Sequence, residues 1–199
     1  MTQPSARERI LDVARRLFYR DGLRATGIDR IVAESGVAKM SLYRHFPSKN
    51  DLIGAFLDWR HEHWMTWFTG AVEARLAHTP ELAVLADALG EWFAQDDFRG
   101  CAFINAVAET GAGDEPRHLA QAFAHKQALE AYIADVAARL GLAGREAVAQ
   151  EAMLCVEGMI VRAQFRPDPA IVQAGRRLLA RIEHDARPAR RRRETTHAA

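Results

Sequence analysis

The stretch from Thr26 to Lys49 constrains the fold most strongly, because it has the pattern of two short helices joined by a glycine turn (TGIDRIVAESGVAKMSLYRHFPSK). Thr26 and Asp29 form a capping arrangement that predicts where the first of these helices begins. Gly36 predicts where it ends, since glycine adopts the left-handed conformation common at helix ends. Three apolar residues have the spacing to face inward together: Val37, Leu42 and Phe46. The stretch is therefore predicted to be a helix-turn-helix.

The second helix of this pair carries basic and hydroxyl side chains, which suit contact with DNA in the major groove. A lysine can donate to guanine O6 and N7 and a serine hydroxyl can contact several base edges, so Lys39 and Ser41 are candidates for reading sequence. Tyr43, His45 and Lys49 would instead contact phosphates and carry the salt-dependent affinity. A lone basic residue is more often a solvated surface charge, but the whole set behind a glycine turn favours DNA binding.

The run GVAKMSLYRHFPSKNDLI resembles the DNA-binding signature of the tetracycline-repressor (TetR) family. The positions at the family's spacing are the turn glycine, Leu42-Tyr43, His45-Phe46, Ser48-Lys49 and Leu52. The resemblance covers about the first quarter of the chain. It implies base contacts from Lys39 and Ser41. The other residues assigned to the DNA interface are Thr26, Tyr43, His45 and Lys49, which would hold phosphates, and Arg44.

Two positions depart from the commoner family pattern. Ala38 stands where a Ser or Thr cap is usual, and Met40 stands where a small residue or Pro is usual. The departures leave the resemblance intact but make the recognised base sequence harder to predict.

Charge is distributed unevenly along the 199 residues, although the formal net charge is only +1. Residues 1–50 hold ten Lys/Arg against five Asp/Glu (net +5), whereas residues 51–184 hold twelve against nineteen (net −7). Residues 185–199 hold five against two (net +3). A basic head on an acidic body suits a protein that meets a polyanion at one end.

The chain has two cysteines, Cys101 and Cys155, and its amino terminus lacks a charged-then-apolar leader. Neither secretion nor a disulfide framework is indicated. No apolar run approaches the length of a membrane span, so we expect no membrane association and a cytoplasmic location.

Helical periodicity predicts an all-α fold with a three-helix head over residues 1–48. Ser5 and Glu8 form a capping box for a first helix that ends near Asp21-Gly22. Pro47 ends the recognition helix, and Ser48 with Asp51 begins a long fourth helix that joins the head to a helical ligand-binding and dimerisation body, residues 49–185.

Further helices are predicted at residues 81–95, 117–140, 145–165 and 169–183, with a buried segment at residues 100–110. The helix predicted at residues 117–140 has a proposed apolar face, which consists of Leu119, Phe123, Leu129, Tyr132, Ile133 and Val136. The Pro- and Arg-rich tail, residues 186–199, lacks apolar residues and is expected to be disordered.

The last two helices, about residues 145–184, have broad apolar faces that favour a homodimer. The wide stripe on the first of them consists of Val148, Ala152, Cys155, Val156, Met159 and Ile160. Closure of the body's own core is the alternative interpretation of the same stripe. The family resemblance favours the dimer.

The family resemblance also implies that a small-molecule effector binds in the body and shifts the heads away from the operator. Its chemical identity is unknown from the sequence. The candidate residues are Trp59, Trp64, Trp67, Trp92, Phe93, Phe103, Met153 and Met159, with Asn105, Glu109 and Glu157 as polar contacts. Each of these residues taken alone is more often part of a core.

Other chemistries find little support in the sequence. Cys101 can be a thiol sensor or, more often for such a position, an inert buried cysteine. His61 and His63 point to opposite sides of a helix, so we predict no metal site there. No cofactor or catalytic signature is present, which argues against an enzyme.

The predicted function is therefore a sequence-specific regulator, a ligand-inducible repressor that binds a palindromic double-stranded operator as a homodimer. The alternative is a helical adaptor that uses its head for protein contacts. A salt-dependent gel shift of a short palindromic duplex would separate the two.

Overall fold

A computed structural model describes residues 4–110 and 116–188, which form nine α-helices and no strand, as the all-α prediction requires. The helices are α1 (Ala6–Asp21), α2 (Ile28–Ser35), α3 (Lys39–His45), α4 (Lys49–Leu76), α5 (Val84–Phe93), α6 (Ala102–Thr110), α7 (Pro116–Arg139), α8 (Arg145–Phe165) and α9 (Pro169–Ala186). None of these described helices combines the length and the apolar character needed to cross a bilayer.

The chain divides into two compact units that do not follow the chain order. The first comprises Met1–His63 and Cys101–His125, and the second comprises Trp64–Gly100 and Lys126–Ala199. The predicted functional division at residue 48 remains a prediction. Residues 111–115, assigned to a loop, and residues 189–199 of the predicted tail lie outside the described residues.

The core of the first unit begins with α1, whose start is set by the predicted capping box. The Glu8 amide donates to Ser5 Oγ at 3.2 Å and the Ser5 amide donates to Glu8 Oε2 at 2.7 Å. The buried residues of α1 are Ile10, Ala14, Leu17 and Phe18. Phe18 meets Phe56 of α4 with ring centroids 5.7 Å apart, which joins the head to the start of the long helix.

Thr26 has a different role from the predicted one. Helix α2 begins at Ile28 behind Gly27, with no side-chain cap. The Thr26 side chain is 0% exposed, and its hydroxyl donates to the carbonyl of Gly22 at 2.8 Å and to that of Leu17 at 3.3 Å. The predicted cap is therefore wrong. The hydroxyl satisfies carbonyls at the end of α1, so it is not available to a phosphate.

The buried face of α7 also differs from the prediction in its first half. Leu129, Ile133 and Val136 are buried as expected, but Leu119 and Phe123 are exposed, Phe123 by 62%. His118 and His125 are buried in their place. Together with the buried Ala122 and Leu129 they recur every three or four residues, so all four lie on one helix face. Tyr132 is half-buried, and its hydroxyl donates to Glu73 Oε1 at 2.9 Å.

The second unit is built on α5, α8 and α9 with the second half of α4. Helix α5 is shorter than the predicted residues 81–95 and is buried along most of its length. Aromatic rings fill the space beside it: Trp64, Phe68, Trp92, Phe93 and Phe98, with neighbouring ring centroids 4.7 to 6.1 Å apart. Such contacts bury large apolar areas and stabilise the unit.

Helices α8 and α9 begin and end within three residues of their predicted bounds. Asp168 caps α9 by accepting from the Ala170 amide at 2.8 Å, and Pro169 occupies the first helical position. Arg176 of α9 forms ion pairs with Asp87 of α5 and, at 2.9 Å, with Glu81. These pairs fix α9 against α5 beside an apolar core.

Candidate nucleic-acid interface

The turn between α2 and α3 has the geometry that its glycine predicts. Gly36 adopts φ +63° and ψ +27°, and its amide donates to the Val32 carbonyl at 3.1 Å. Helix α3 then begins behind Ala38, which is extended and provides no side-chain cap. Because glycine has no Cβ, it takes this left-handed conformation at little cost. The chain can therefore reverse within three residues and present α3 as a separate surface element.

Helix α3 has one buried side and one open side. Leu42 is fully buried, and Val37 and Phe46 beside the helix are buried as well, which confirms the predicted inward set. The residues of α3 that face solvent are Lys39, Met40, Tyr43, Arg44 and His45, while Ser41 is half-buried. All the DNA-contact candidates on α3 thus reach the surface of one short helix.

Lys39 is held by an ion pair across the turn. Its Nζ donates to Asp29 Oδ1 of α2 at 2.7 Å, and this hydrogen bond raises the pKa of Lys39. Both groups are exposed, so water competes for each of them and the pair stabilises little. Lys39 is therefore charged and can exchange Asp29 for an acceptor on DNA.

Lys49 opens α4 in a partly buried position beside the end of α6. Burial lowers the pKa of Lys49, and the nearby charge of Glu109 acts in the opposite direction. Glu109 also accepts from the Arg24 backbone amide at 2.8 Å. Glu109, predicted as an effector contact, thus holds the loop that follows α1. Its sequence context gave no signal of this, since the two residues are far apart in the chain.

An ion-pair network fixes α2 against α1. Arg30 pairs with Asp21 at 2.8 Å and with Glu34 at 3.0 Å, and Arg16 pairs with Glu34 at 2.6 Å. Asp21 also accepts from Arg20, and these guanidinium groups lower the pKa of Asp21 to about 2. The pKa of Glu34 is lowered by Arg16 and Arg30. These exposed pairs link α2 to α1 and add modestly to the apolar packing that orients α2.

Helices α8 and α9 carry a second open surface. Together they form a groove of about 500 Å³ whose walls include Gly158, Ala174 and Leu178. Leu154 is 77% exposed and Phe165 is 87% exposed on the same surface. The stripe predicted to meet a partner is instead buried inside the unit, apart from the half-buried Cys155. For that stripe the prediction was wrong, because α8 has apolar residues on two sides and the inner side packs within its own unit.

The sequence of the head and the fold of the chain both match known regulators. A profile of bacterial regulatory proteins, tetR family, matches residues 10–56. The structure of SCO4454, a TetR-family transcriptional regulator from Streptomyces coelicolor, is 29% identical and aligns with a TM-score of 0.76, covering 91% of this chain and 95% of that one. Residues 10–56 thus form a TetR-family DNA-binding domain, and the chain as a whole resembles TetR-family transcriptional regulators.

Curated transcriptional regulators match a little over a quarter of this chain. The regulator LmrA of Bacillus subtilis is 43% identical over 53 residues, which are 27% of this chain and 28% of LmrA. The transcriptional repressor KstR2 of Mycobacterium tuberculosis is 41% identical over 59 residues, 28% of this chain and 30% of KstR2. The chain thus matches less than a third of the length of each relative. TetR-family regulators are typically DNA-binding proteins rather than enzymes.

The predicted effector residues fall in both units. Trp59, Phe103 and Asn105 lie in the first unit, while Trp64, Trp67, Trp92, Phe93, Met153 and Glu157 lie in the second.

In the first unit, Trp59 stacks on His63 with ring centroids 4.6 Å apart, under the guanidinium of Arg15. In the second, Trp64 and Trp92 belong to the aromatic core, Met153 is buried, and Glu157 accepts from Lys126 at 2.6 Å. Their role in effector binding remains a prediction.

Two buried histidines of α7 were not anticipated from the sequence. His125 Nδ1 lies 3.1 Å from His61 Nδ1, and its ring stacks on Phe103 with centroids 3.9 Å apart. His118 Nε2 donates to the Asn50 carbonyl at 3.1 Å. The sequence did contain one signal of their burial: the two histidines are seven residues apart and lie on the same helix face as Leu129. No group of three or more potential metal ligands occurs among residues 4–110 and 116–188.

The two cysteines of the chain differ in their surroundings. Cys101 is buried at the start of α6, which favours the inert alternative over a thiol sensor. Cys155 is half-buried in the groove of α8 and α9, where burial raises the pKa of its thiol. Burial disfavours the reactive thiolate form at Cys155.

Proposed function

We propose that this TetR-family chain is a ligand-responsive repressor that binds a palindromic DNA operator as a homodimer. The observation that supports this most directly is the open side of α3, where basic and hydroxyl side chains surround an exposed surface while Leu42 anchors the helix from behind. A short helix presented in this way after a glycine turn fits the major groove.

Within this interface, Lys39 and Ser41 read base edges, and Tyr43, Arg44, His45 and Lys49 hold phosphates. Lys39 first exchanges its contact with Asp29 for a guanine acceptor, at little cost because the pair is exposed. Thr26 is left out of the side-chain contacts because its hydroxyl is buried and donates to two carbonyls.

Dimerisation through α8 and α9 is supported by the apolar side chains that these helices leave open. Leu154 and Phe165 are largely exposed beside a groove lined by small residues such as Gly158 and Ala174. Apolar patches of this kind mark protein interfaces, and two copies of one patch pair around a two-fold axis. A two-fold dimer reads two inverted half-sites, so the operator is palindromic.

Repression is supported by the similarity of this chain to KstR2, a transcriptional repressor. A small-molecule effector acts by binding the DNA-incompetent state more tightly than the DNA-bound state. Helix α4 offers the mechanical link, since it begins at the proposed phosphate contact Lys49 and continues without a break to Leu76, past the aromatic side chains of Trp59, Trp64 and Trp67. An effector that contacts Trp59, which lies in the same unit as Lys49, and displaces α4 moves Lys49 as well.

The test is binding of the full chain to duplexes selected from a random-sequence pool, followed by fluorescence anisotropy across a salt series. The selected sequence should be an inverted repeat, and the affinity of the chain for it should fall steeply as salt is added. Lys39→Ala should reduce the preference for the selected sequence over a scrambled one. Lys49→Ala should weaken both equally and reduce the log–log salt slope by about one unit per protomer.

Arg145→Ala is the matched control, since it removes an exposed charge at the start of α8 in the other unit. It should leave affinity and slope unchanged. Failure of the wild-type chain to bind any duplex in low salt would reject the proposal and favour the adaptor alternative.

A further inference from the structure

Met40 occupies the centre of the open side of α3. Successive residues of a helix are rotated by about 100°, so Met40 lies about 160° around the axis from the buried Leu42. Its side chain is 74% exposed. Arg44, one turn later, shares this outermost position, whereas Lys39 is turned toward Asp29 of α2. Met40 is thus among the first side chains that a surface approaching α3 would meet.

The chemistry of Met40 limits what it can recognise on DNA. A thioether has no hydrogen-bond donor and is a weak acceptor, so it cannot distinguish the donor and acceptor patterns of the base edges. The apolar group that the major groove presents is the C5-methyl of thymine. A methionine side chain is unbranched and flexible, which lets it adjust to such a small target.

The position of Met40 separates it from an ordinary exposed apolar residue. Scattered apolar side chains are common on protein surfaces and do not by themselves indicate a binding site. Met40, however, is the second residue of α3, in the first turn, where recognition helices contact base edges. It lies between Lys39 and Ser41, the two proposed base-reading residues. The large hydrophobic side chains exposed on α3, a helix described in full, are Met40 at 74% and Tyr43 at 38%, and of these Met40 has no hydroxyl group.

We propose that Met40 determines part of the operator specificity by packing against the C5-methyl of one thymine in each half-site. This inference rests on the proposed DNA-binding function and adds a residue that selects thymine through shape rather than hydrogen bonding. Burial of one methyl group accounts for a change in affinity of about fourfold per half-site, or about 15-fold when both half-sites are altered.

The experiment uses an operator obtained by selection with the full wild-type chain. Each thymine is replaced in turn, symmetrically in both half-sites, by deoxyuridine, which keeps the base-pairing edge and removes only the methyl. Fluorescence anisotropy should show one symmetric pair of positions where the replacement weakens binding about 15-fold. Replacements elsewhere serve as internal controls for changes in duplex shape.

Three variants then assign that sensitivity to the side chain. Met40→Ala and Met40→Gln should bind the thymine and deoxyuridine operators with nearly equal affinity. Met40→Leu should retain most of the difference, since it keeps an apolar side chain of similar volume. Met40 is exposed and contributes little to folding, and circular dichroism should give the same helix content for all three variants.

The outcomes separate this inference from the proposed function on which it rests. If the wild-type chain binds its operator but tolerates deoxyuridine at every position, the role of Met40 is rejected while DNA binding stands. The same holds if Met40→Ala retains the full sensitivity to the methyl group. If no duplex is selected at all, the proposed function itself fails.

Discussion

At the level of single residues, Lys39 and Asp29 show how an exposed ion pair can oppose binding. The pair joins α3 to α2 with Nζ and Oδ1 2.7 Å apart. Asp29 therefore competes with DNA for the lysine and also places a negative charge beside this proposed DNA contact. Both effects weaken DNA binding, and both are screened by salt.

We expect Asp29→Asn to raise operator affinity about threefold in low salt, because Lys39 is released and one repulsive charge is removed. The gain should shrink as salt is added. Anisotropy titrations across a salt series measure it. Asp135→Asn is the control, since Asp135 is another exposed, ion-paired aspartate but lies on α7 in the other unit. Equal gains from both variants would show that only net charge matters.

Asp21 links the stability of the head to acid pH. Its pKa falls from 3.8 to about 2 in the folded chain because Arg20 and Arg30 favour the charged carboxylate. A depressed carboxyl pKa stabilises the fold above the unfolded value, and this contribution is lost as pH falls through the folded value. The loss is therefore expected between about pH 4 and pH 2.

The difference in unfolding free energy between the wild-type chain and Asp21→Asn should be constant near neutral pH and shrink toward zero between pH 4 and pH 2. Urea unfolding at a series of pH values measures it. Glu62→Gln removes an exposed carboxylate of α4 in the same unit and is the control. An Asp21→Asn difference that persists at pH 2 would contradict the proposed coupling.

At the level of elements, the loop after α1 depends on a carboxylate from α6. Gly22 ends α1 with φ +90°, and a Cβ at this position would lie 3.0 Å from Glu109 Oε1. Glu109 in turn accepts from the Arg24 amide at 2.8 Å. The end of α6 therefore holds the segment that leads from α1 to the helix-turn-helix, and a glycine at position 22 makes room for that contact.

Gly22→Ala should destabilise the chain by about 2 kcal/mol, because it adds backbone strain and pushes Glu109 away from the Arg24 amide. Thermal or urea unfolding gives the loss, and hydrogen exchange should become faster at the Arg24 amide. Gly70→Ala is the matched control. It lies inside α4 with open space around a new Cβ, and it should stabilise the chain by about 0.5–1 kcal/mol. Unchanged exchange at Arg24 would exclude displacement of Glu109.

At the level of the whole molecule, the open apolar surface of α8 and α9 is the proposed dimer interface. Phe165 is 87% exposed, more than the other large apolar residues in the part of the chain that the structure describes. Large aromatic side chains contribute strongly to interfaces when they enter a pocket of the partner. The lining of the groove beside Phe165 includes glycines, alanines and larger apolar residues, with Arg162, Arg166 and Asp168 among them, and its volume of about 500 Å³ offers room for such a side chain from a second copy.

Phe165→Glu should convert the dimer to a monomer of 22.2 kDa, because a buried unpaired charge at an interface is costly. Light scattering after size-exclusion chromatography measures the mass. Affinity for the palindromic operator should fall sharply, while affinity for a single half-site should change little. Phe123→Glu is the control, since Phe123 is exposed on α7 in the other unit and should leave the dimer intact. A dimeric Phe165→Glu chain would place the interface elsewhere.

Local signals in the sequence predicted much of the head. The capping box of Ser5 and Glu8, the turn at Gly36 and the inward position of Leu42 all appear in the structure as predicted. Each depends on residues within about four positions of one another, where backbone geometry determines which groups meet. The all-α class and the bounds of α8 and α9 follow from the same periodicity.

The tertiary structure decided which side of each helix became core. Thr26 is buried, and its hydroxyl donates to a carbonyl at the end of α1. His118 and His125 are buried on α7, where Leu119 and Phe123 had been expected. Helix α7 has candidates for burial on more than one side, and α8 has apolar residues on two. Which side is buried depends on the helices that pack against it, and those helices come from distant parts of the chain.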